Sequence, residues 1–152
     1  MSLPSFFKLH IVNNTGASIQ FSTDGANNNM VITGLPWKYT SGAIEYGSEV
    51  TLFADPSSDL ADNASTEGAE YDNSSNKWLG MFCRATFDSD NTSAGAVDIM
   101  WEWSTDGSAS GTYVSDETDF DAEQDLRWLS QVTSAGSANE ARGVTFEIGA
   151  VP

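Results

Sequence analysis

Basic residues, cysteine and histidine are scarce in this sequence of 152 residues. Six Lys and Arg residues stand against 22 Asp and Glu residues, so the formal net charge at pH 7 is -16. A protein that binds nucleic acid needs a basic surface to displace counterions, whereas a strongly acidic protein repels phosphate. The composition therefore disfavours nucleic acid as a partner. It fits solubility in salty surroundings, or docking onto a more basic protein surface.

Cys83 is the single cysteine and His10 is the single histidine, so the chain can form no internal disulfide. Cys83 lies in an apolar run, which indicates a buried structural thiol rather than a redox or catalytic one. Catalytic triads and zinc sites combine histidine with partner residues, and no such pattern surrounds His10. Phosphate-binding glycine loops and dinucleotide fingerprints are also absent. We therefore predict a protein that is not an enzyme and has no cofactor or metal.

The N-terminus lacks the basic and apolar regions of a secretory signal. No apolar run in the sequence is long enough to cross a bilayer. We therefore expect synthesis in the cytoplasm and no membrane partner. The length fits one domain over residues 1–152, with a short N-terminal arm at residues 1–5.

Alternation of apolar and polar residues is the strongest structural signal. In residues 97–104, Val97, Ile99, Trp101 and Trp103 share one face, and the opposite face is expected to meet water. Further strands are predicted at residues 6–12, 19–23, 30–33, 49–54, 78–87, 126–133 and 144–148. Turn residues separate them, and no amphipathic helix is evident. The pattern predicts an all-β fold, an antiparallel β-sandwich of jelly-roll-like form.

Two long polar segments, residues 55–76 and 108–125, have few periodic apolar residues and are predicted to be loops. The residues between 33 and 49 read as a connection rich in glycine, proline and aromatic residues. Asp-rich turns at residues 88–91 and 119–125 offer oxygen ligands of the kind that calcium takes. Neither turn has EF-hand spacing, so we expect solvated acidic loops.

Large aromatic residues are the candidate contacts with a partner. They are Phe6, Phe7, Trp37, Trp78 and Trp128. Exposed tryptophans on a sandwich can stack against sugar rings, although packing in the core or between subunits is the commoner role. A glycosidase needs only two carboxylates, so the acidic residues leave a glycan hydrolase open.

Several short segments resemble small virion structural proteins of tailed bacteriophages, of the head-decoration or cement type. They are residues 9–16 (LHIVNNTG), 78–80 (WLG), the strand and turn at 97–107, and the acidic loop that ends at Asp125 and Leu126. The resemblance is strongest over residues 78–132. Such proteins have no catalytic residues, so the resemblance implies no active site.

The resemblance implies a capsid decoration protein on the outer surface of a phage head, where it would bridge capsid subunits. Its partner would be the major capsid protein, and its copies would form a homo-oligomer or a symmetric array on the virion. The high acidity suggests a phage of marine or saline waters. The alternative is a carbohydrate- or receptor-binding module of a phage tail or fibre.

Overall fold

Two antiparallel sheets build this protein. The computed structural model describes residues 2–19, 30–54, 59–89, 94–118, 120–135 and 140–149. Their strands are β1 Phe6–Asn14, β2 Met30–Thr40, β3 Ala43–Tyr46, β4 Val50–Phe53, β5 Ser65–Glu67, β6 Tyr71–Asp72, β7 Gly80–Ser89, β8 Ala94–Trp103, β9 Arg127–Ala135 and β10 Glu140–Ile148. A 3-10 helix at Val114–Asp116 and helix α1 at Ala122–Asp125 complete the elements. The described residues contain no helix that is long and apolar enough to cross a membrane.

Strands that are distant in sequence pair at the centre of each sheet. The first sheet has the order β5–β1–β8–β9, with β6 also paired to β1. In the second sheet the order is β10–β7–β2–β3, and β4 also pairs with β2. The two sheets pack face to face, so the predicted antiparallel β-sandwich in a single domain is confirmed.

The hydrophobic core lies between the sheets, where alternate residues of the central strands point inward. Ten of these side chains are at most 2% exposed: Phe7, Leu9, Ile11, Met30, Ile32, Met81, Ala85, Phe87, Val97 and Ile99. They fall at every second position along β1, β2, β7 and β8, as the period of a strand requires. The inward face predicted for residues 97–104 is therefore confirmed.

The predicted connection after residue 33 is wrong, because β2 continues to Thr40 and turns into β3. Ser41 and Gly42 make the turn with positive φ angles of 52° and 84°. Pro36 is tolerated inside β2 because it lies between the residues that pair with β4 (32–34) and with β3 (37–40); on that side its carbonyl accepts a hydrogen bond from the Gly47 N–H over 2.9 Å, and no N–H of its own is needed.

Residues 59–76, within the predicted loop at 55–76, contain two short strands. Both β5 and β6 pair with the same edge of β1. Leu60 is buried and forms an isolated bridge with Ile19. The rest of the predicted strand at residues 19–23, and residues 55–58, lie outside the described residues. Strands of two or three residues are too short to produce a periodic pattern, so the sequence does not reveal them.

The other predicted loop covers the outer face of the first sheet. We call residues 108–118 and 120–126 the covering segment. Phe120 and Ala122 of this segment pack against a small apolar cluster that contains Val12 and Met100. The outer face of β8 was predicted to meet water, but Met100 and Glu102 are buried there. That prediction is wrong because a neighbouring segment, and not solvent, lies over the strand.

Residues 2–5 pack against the sandwich and do not form a free arm. Leu3 is buried, and its N–H donates a hydrogen bond to the Trp78 carbonyl over 2.9 Å. The Asn73 side chain donates to the Leu3 carbonyl over 3.2 Å. The Asn73 backbone N–H also donates a hydrogen bond to the Ser5 carbonyl over 2.7 Å. Residues 2–5 of the predicted N-terminal arm are thus part of the folded body.

Cys83 lies in the core, as the sequence indicates, and is expected to be unreactive in the native protein. Burial raises the pKa of its thiol to about 12, and the Glu147 carboxylate contributes to the increase. Because the thiolate is the reactive form, iodoacetamide should modify the native protein at pH 8 roughly tenfold more slowly than the urea-unfolded chain, or slower still. Mass spectrometry of timed samples measures both rates. Equal rates in the two states would contradict the prediction.

Candidate functional site

The outer face of the second sheet exposes large hydrophobic side chains. They are Trp37 and Tyr39 of β2, Ile44 and Tyr46 of β3, and Phe82 of β7, and we call them the aromatic face. All except the partly buried Trp37 are between 48% and 60% exposed. Among the described residues, Trp128 is the one other large hydrophobic side chain that is exposed. Contiguous apolar surface of this kind marks binding sites on soluble proteins.

Trp37 is the centre of the aromatic face. Its ring stacks with Phe82 at a centroid distance of 6.1 Å and an interplanar angle of 26°. Tyr39 contacts it edge-on at 5.9 Å, and Tyr46 is its direct cross-strand partner. A Cβ atom on Gly80 would lie 2.7 Å from the indole, so glycine allows the ring to lie flat on the sheet. The rings therefore support one another and present a rigid surface.

A hollow with charged walls continues the aromatic face past Phe82. It has a volume of about 440 Å³, and Thr33, Leu35, Glu49, Phe82, Cys83, Arg84, Thr145, Phe146 and Glu147 line it. Lys38 and Glu45 alternate with the rings along β2 and β3 and form an ion pair of 3.8 Å on the opposite face of the hairpin. Apolar rings with charged groups at their edge match the apolar core and polar rim of a protein interface.

The structure separates the five predicted contact residues. Trp37 lies on the aromatic face and Trp128 is 58% exposed on the other sheet. Phe6, Phe7 and Trp78 are buried, and the last two belong to the main core. Those three side chains stabilise the chain itself and offer no surface to a partner.

Trp128 alternates with Ser130 and Val132 in the sequence, but it points outward while those two residues are buried. Between Ile99 and Met100 the register of β8 with β9 shifts, so that Ile99 faces Ser130 and Met100 faces Trp128. One extra residue on β9 at such a bulge moves the preceding side chains to the other face. The Trp128 indole instead donates a hydrogen bond of 3.3 Å to Asp98.

Sequence reasoning missed Tyr39, Ile44, Tyr46 and Phe82. Three of the four lie between residues 33 and 49, where the sequence predicts a connection and not a hairpin. The alternation of Leu35, Trp37 and Tyr39, followed by a Ser-Gly turn, is the signal that could have revealed the hairpin.

A second group of residues forms a buried polar cluster on the outer face of the first sheet. His10 Nε2 lies 2.6 Å from Glu102 Oε1, and both side chains are only 3% exposed. Ser115 of the covering segment donates to the same carboxylate from its backbone N–H over 3.0 Å and from its hydroxyl. His10 therefore has partners that the sequence did not suggest, because Glu102 is 92 residues away.

Glu102 is ionised at neutral pH. Burial by itself would raise the pKa of its carboxyl group, but hydrogen bonds from His10 and Ser115 outweigh burial and hold the pKa below its usual value. An ionised carboxylate only accepts hydrogen bonds, so His10 Nε2 carries the proton and donates it. The result is a carboxylate with donors on two sides.

The order of groups in this cluster differs from that of a serine hydrolase. In a catalytic triad the imidazole lies between the hydroxyl and the carboxylate, and it accepts the serine proton. Here Glu102 lies in the middle and binds both His10 and Ser115. Ser115 therefore has no imidazole to activate it.

Glu67 of β5 extends the polar cluster toward solvent. Its carboxylate lies 3.0 Å from Lys8 Nζ, which is 4.4 Å from the centre of the Tyr113 ring. Metal-ligating atoms of His10, Glu67 and Glu102 all lie within 4.8 Å of one another. These three side chains could hold a cation.

The two Asp-rich turns fall partly outside the described residues, which omit Asp90, Asn91 and Asp119. In the described part of the second turn, the Asp125 carboxylate accepts a hydrogen bond of 2.8 Å from the Asp121 N–H. That oxygen stabilises the start of α1, as acidic side chains do at helix N-termini.

Comparisons with protein-family models, with curated proteins and with solved structures give no match. They neither support nor contradict a virion origin.

Proposed function

We propose that this protein is a non-enzymatic docking protein, a capsid decoration or cement protein of a tailed bacteriophage. It binds the outer surface of the head through the aromatic face and stabilises the shell by bridging capsid subunits. The observation that carries the proposal is the exposed, mutually supported ring cluster around Trp37. The resemblance of short segments to head-decoration proteins supplies the partner, the major capsid protein.

Rigid aromatic side chains suit an interface centre. Tyr and Trp bury a large area while few rotatable bonds lose freedom, so they bind at a low cost in entropy. On this sheet the hydrogen-bonded strands β2, β3 and β7 already hold the rings in place. The aromatic face can therefore dock without rearranging.

The net charge of -16 suggests that basic residues surround the apolar centre of the partner surface. Glu49 and Glu147 line the hollow that adjoins the aromatic face. A basic rim on the capsid would complement these carboxylates and speed association, with a dependence on salt. The protein therefore fits a shell surface that has an apolar centre and basic margins.

Affinity should depend on the assembled lattice, because a copy that touches several subunits gains avidity that an isolated subunit cannot supply. Purified protein is expected to saturate expanded capsids that lack it and to raise the temperature at which heads rupture. Free major capsid protein should bind it poorly. Sedimentation with capsids and thermal rupture assays measure both effects.

Phe82→Ser is expected to weaken capsid binding about 30-fold, because the loss of one aromatic hot spot costs about 2 kcal/mol. Trp128→Ser is the matched control, since it removes an aromatic residue of similar exposure from the other sheet. It should leave binding unchanged. Loss of binding in the control but not in Phe82→Ser would overturn the assignment to the aromatic face.

The alternative is a carbohydrate- or receptor-binding module of a tail or fibre. The flat array of Trp37, Tyr39 and Phe82, next to a hollow with Arg84 and Glu147, favours it because sugar rings stack on aromatic faces and bind charged groups at their hydroxyls. Glycan binding without capsid association, or a few copies at the tail tip instead of hundreds on the head, would support this function and exclude decoration.

A further inference from the structure

Three side chains with metal-ligating atoms converge on the outer face of the first sheet. Ligand atoms of His10, Glu67 and Glu102 lie within 4.8 Å of one another. We propose that these residues bind one divalent transition-metal ion, with Zn²⁺ as the best match. The site lies on the opposite sheet from the aromatic face and does not depend on the docking function.

The backbone of three adjacent strands prearranges the site. His10 of β1 is the direct cross-strand partner of Glu67 in β5. On the other side of β1, Glu102 of β8 pairs with Lys8, which makes it the diagonal neighbour of His10. Regular ladders of hydrogen bonds hold all three Cα atoms, so an ion need not order a loop to bind.

The site combines buried ligands with a path by which an ion can enter from solvent. His10 and Glu102 are buried beneath the covering segment, where ligands are shielded from water and their charges act strongly. The Glu67 side chain is 51% exposed, so an ion can enter from its side. The site thus has two buried ligands and one at its mouth.

The donor set selects the class of metal. Imidazole nitrogen together with carboxylate oxygen is a combination that Zn²⁺ uses, at distances of about 2.0–2.2 Å. Ca²⁺ and Mg²⁺ prefer six or more oxygen ligands and do not favour imidazole. A site of one histidine and two carboxylates therefore favours Zn²⁺ and its transition-metal neighbours.

Metal binding replaces contacts that already exist. The hydrogen bond between His10 Nε2 and Glu102 Oε1, which are 2.6 Å apart, would break; the imidazole proton would move to Nδ1 and the ion would take its place on Nε2. Lys8 would give up Glu67 but keep its place over the Tyr113 ring. Two carboxylates against one lysine leave negative charge for a cation to neutralise.

Zinc titration of the full chain, stripped with a chelator, tests the proposal. Isothermal titration calorimetry at pH 7.5 should show saturable binding of one ion per chain. Thermal unfolding should move to higher temperature in Zn²⁺, since the ion binds the folded state. Co²⁺ in place of Zn²⁺ should produce visible ligand-field absorption.

Glu67→Gln is expected to weaken Zn²⁺ binding about tenfold or more. Glu45→Gln is the matched control, because Glu45 is also a half-exposed strand residue paired with a lysine, on the other sheet. It should bind Zn²⁺ like the parent protein. His10→Gln should abolish the Co²⁺ absorption.

Three results would overturn the metal site. They are no saturable Zn²⁺ binding by the parent protein, equal affinity in the parent and Glu67→Gln, or equal losses in Glu67→Gln and Glu45→Gln. Because Glu67 is half exposed, its replacement should not unfold the sheet. The comparison therefore decides the question even if His10→Gln does not fold.

Discussion

Replacing Phe7 by alanine is expected to lower the free energy of unfolding by about 3–5 kcal/mol. The Phe7 side chain is fully buried near the start of β1. Its ring lies 5.1 Å from that of Tyr71 and 5.8 Å from that of Trp101, so alanine would leave a cavity lined by aromatic rings. A domain of this size has a total stability of about 5–15 kcal/mol, and the variant would therefore be close to unfolding.

Urea unfolding followed by circular dichroism measures the effect, and Phe82→Ala is the control. Phe82 is 48% exposed, so its replacement should change stability by only about 0.5 kcal/mol. Similar losses in the two variants would contradict the assignment of Phe7 to the core. By the same reasoning, removal of residues 1–7 should unfold the sandwich, because it deletes Phe7 and the buried Leu3.

Glu102→Leu is expected to cost about 3–5 kcal/mol at pH 7, as the loss of one member of a buried polar pair does. Leucine has a similar volume but accepts no hydrogen bond. The His10 side chain and the Ser115 N–H would lose their hydrogen-bond acceptor and remain buried against an apolar side chain. The covering segment, which Ser115 helps to attach, should become more susceptible to proteolysis.

The cost of Glu102→Leu should shrink in acid. A carboxyl group whose pKa is lowered by folding stabilises the protein above its ordinary pKa, and the stabilisation disappears as the pH falls through the folded-state value. The ordinary value for Glu102 is 4.5, so the difference between parent and variant should persist at pH 7 and decrease below that value. Hydrogen bonds from Ser108 and Ser104 lower the pKa of Asp106 to about 2. Asp106 is present in both proteins, so its contribution to the pH dependence of stability cancels from the comparison.

Urea unfolding at pH 7 and pH 3, with chelator present, measures both stability differences. Glu45→Leu is the control, because Glu45 is half exposed and its ion pair with Lys38 is 3.8 Å long. Its cost should be small at both pH values. If Glu102→Leu destabilised the protein equally at pH 7 and pH 3, the ionised state of Glu102 would not be what stabilises the cluster.

Local patterning was enough to predict the sandwich and most of its core. Alternation in residues 6–12, 78–87 and 97–104 depends on neighbours two positions apart, and a strand with one buried face must show it. The inward position of Cys83 followed from the same pattern. Composition also indicated an acidic surface, since charge is a property of the sequence itself.

The register and pairing of strands could not be predicted from the local sequence pattern. Trp128 points outward because of a bulge between β8 and β9, and a shift of one residue reverses the faces of a strand. Tyr46 joins Trp37 on the aromatic face only because a hairpin places β3 beside β2. The bulge leaves no periodic signal in the sequence, whereas the alternation of Leu35, Trp37 and Tyr39 before a Ser-Gly turn does point to the hairpin.

The sequence by itself determined the fold class, the two-sheet core and the acidic charge of this protein, because each follows from residue types and local spacing. Tertiary structure alone decided which residues are exposed to a partner and which are brought together to form a site. It covered the outer face of β8, buried His10 beside Glu102, and brought Glu67 to them across β1. It also left the rings around Trp37 exposed while it buried Phe7 and Trp78. The physical reason is that burial and proximity depend on what the rest of the chain places next to a residue.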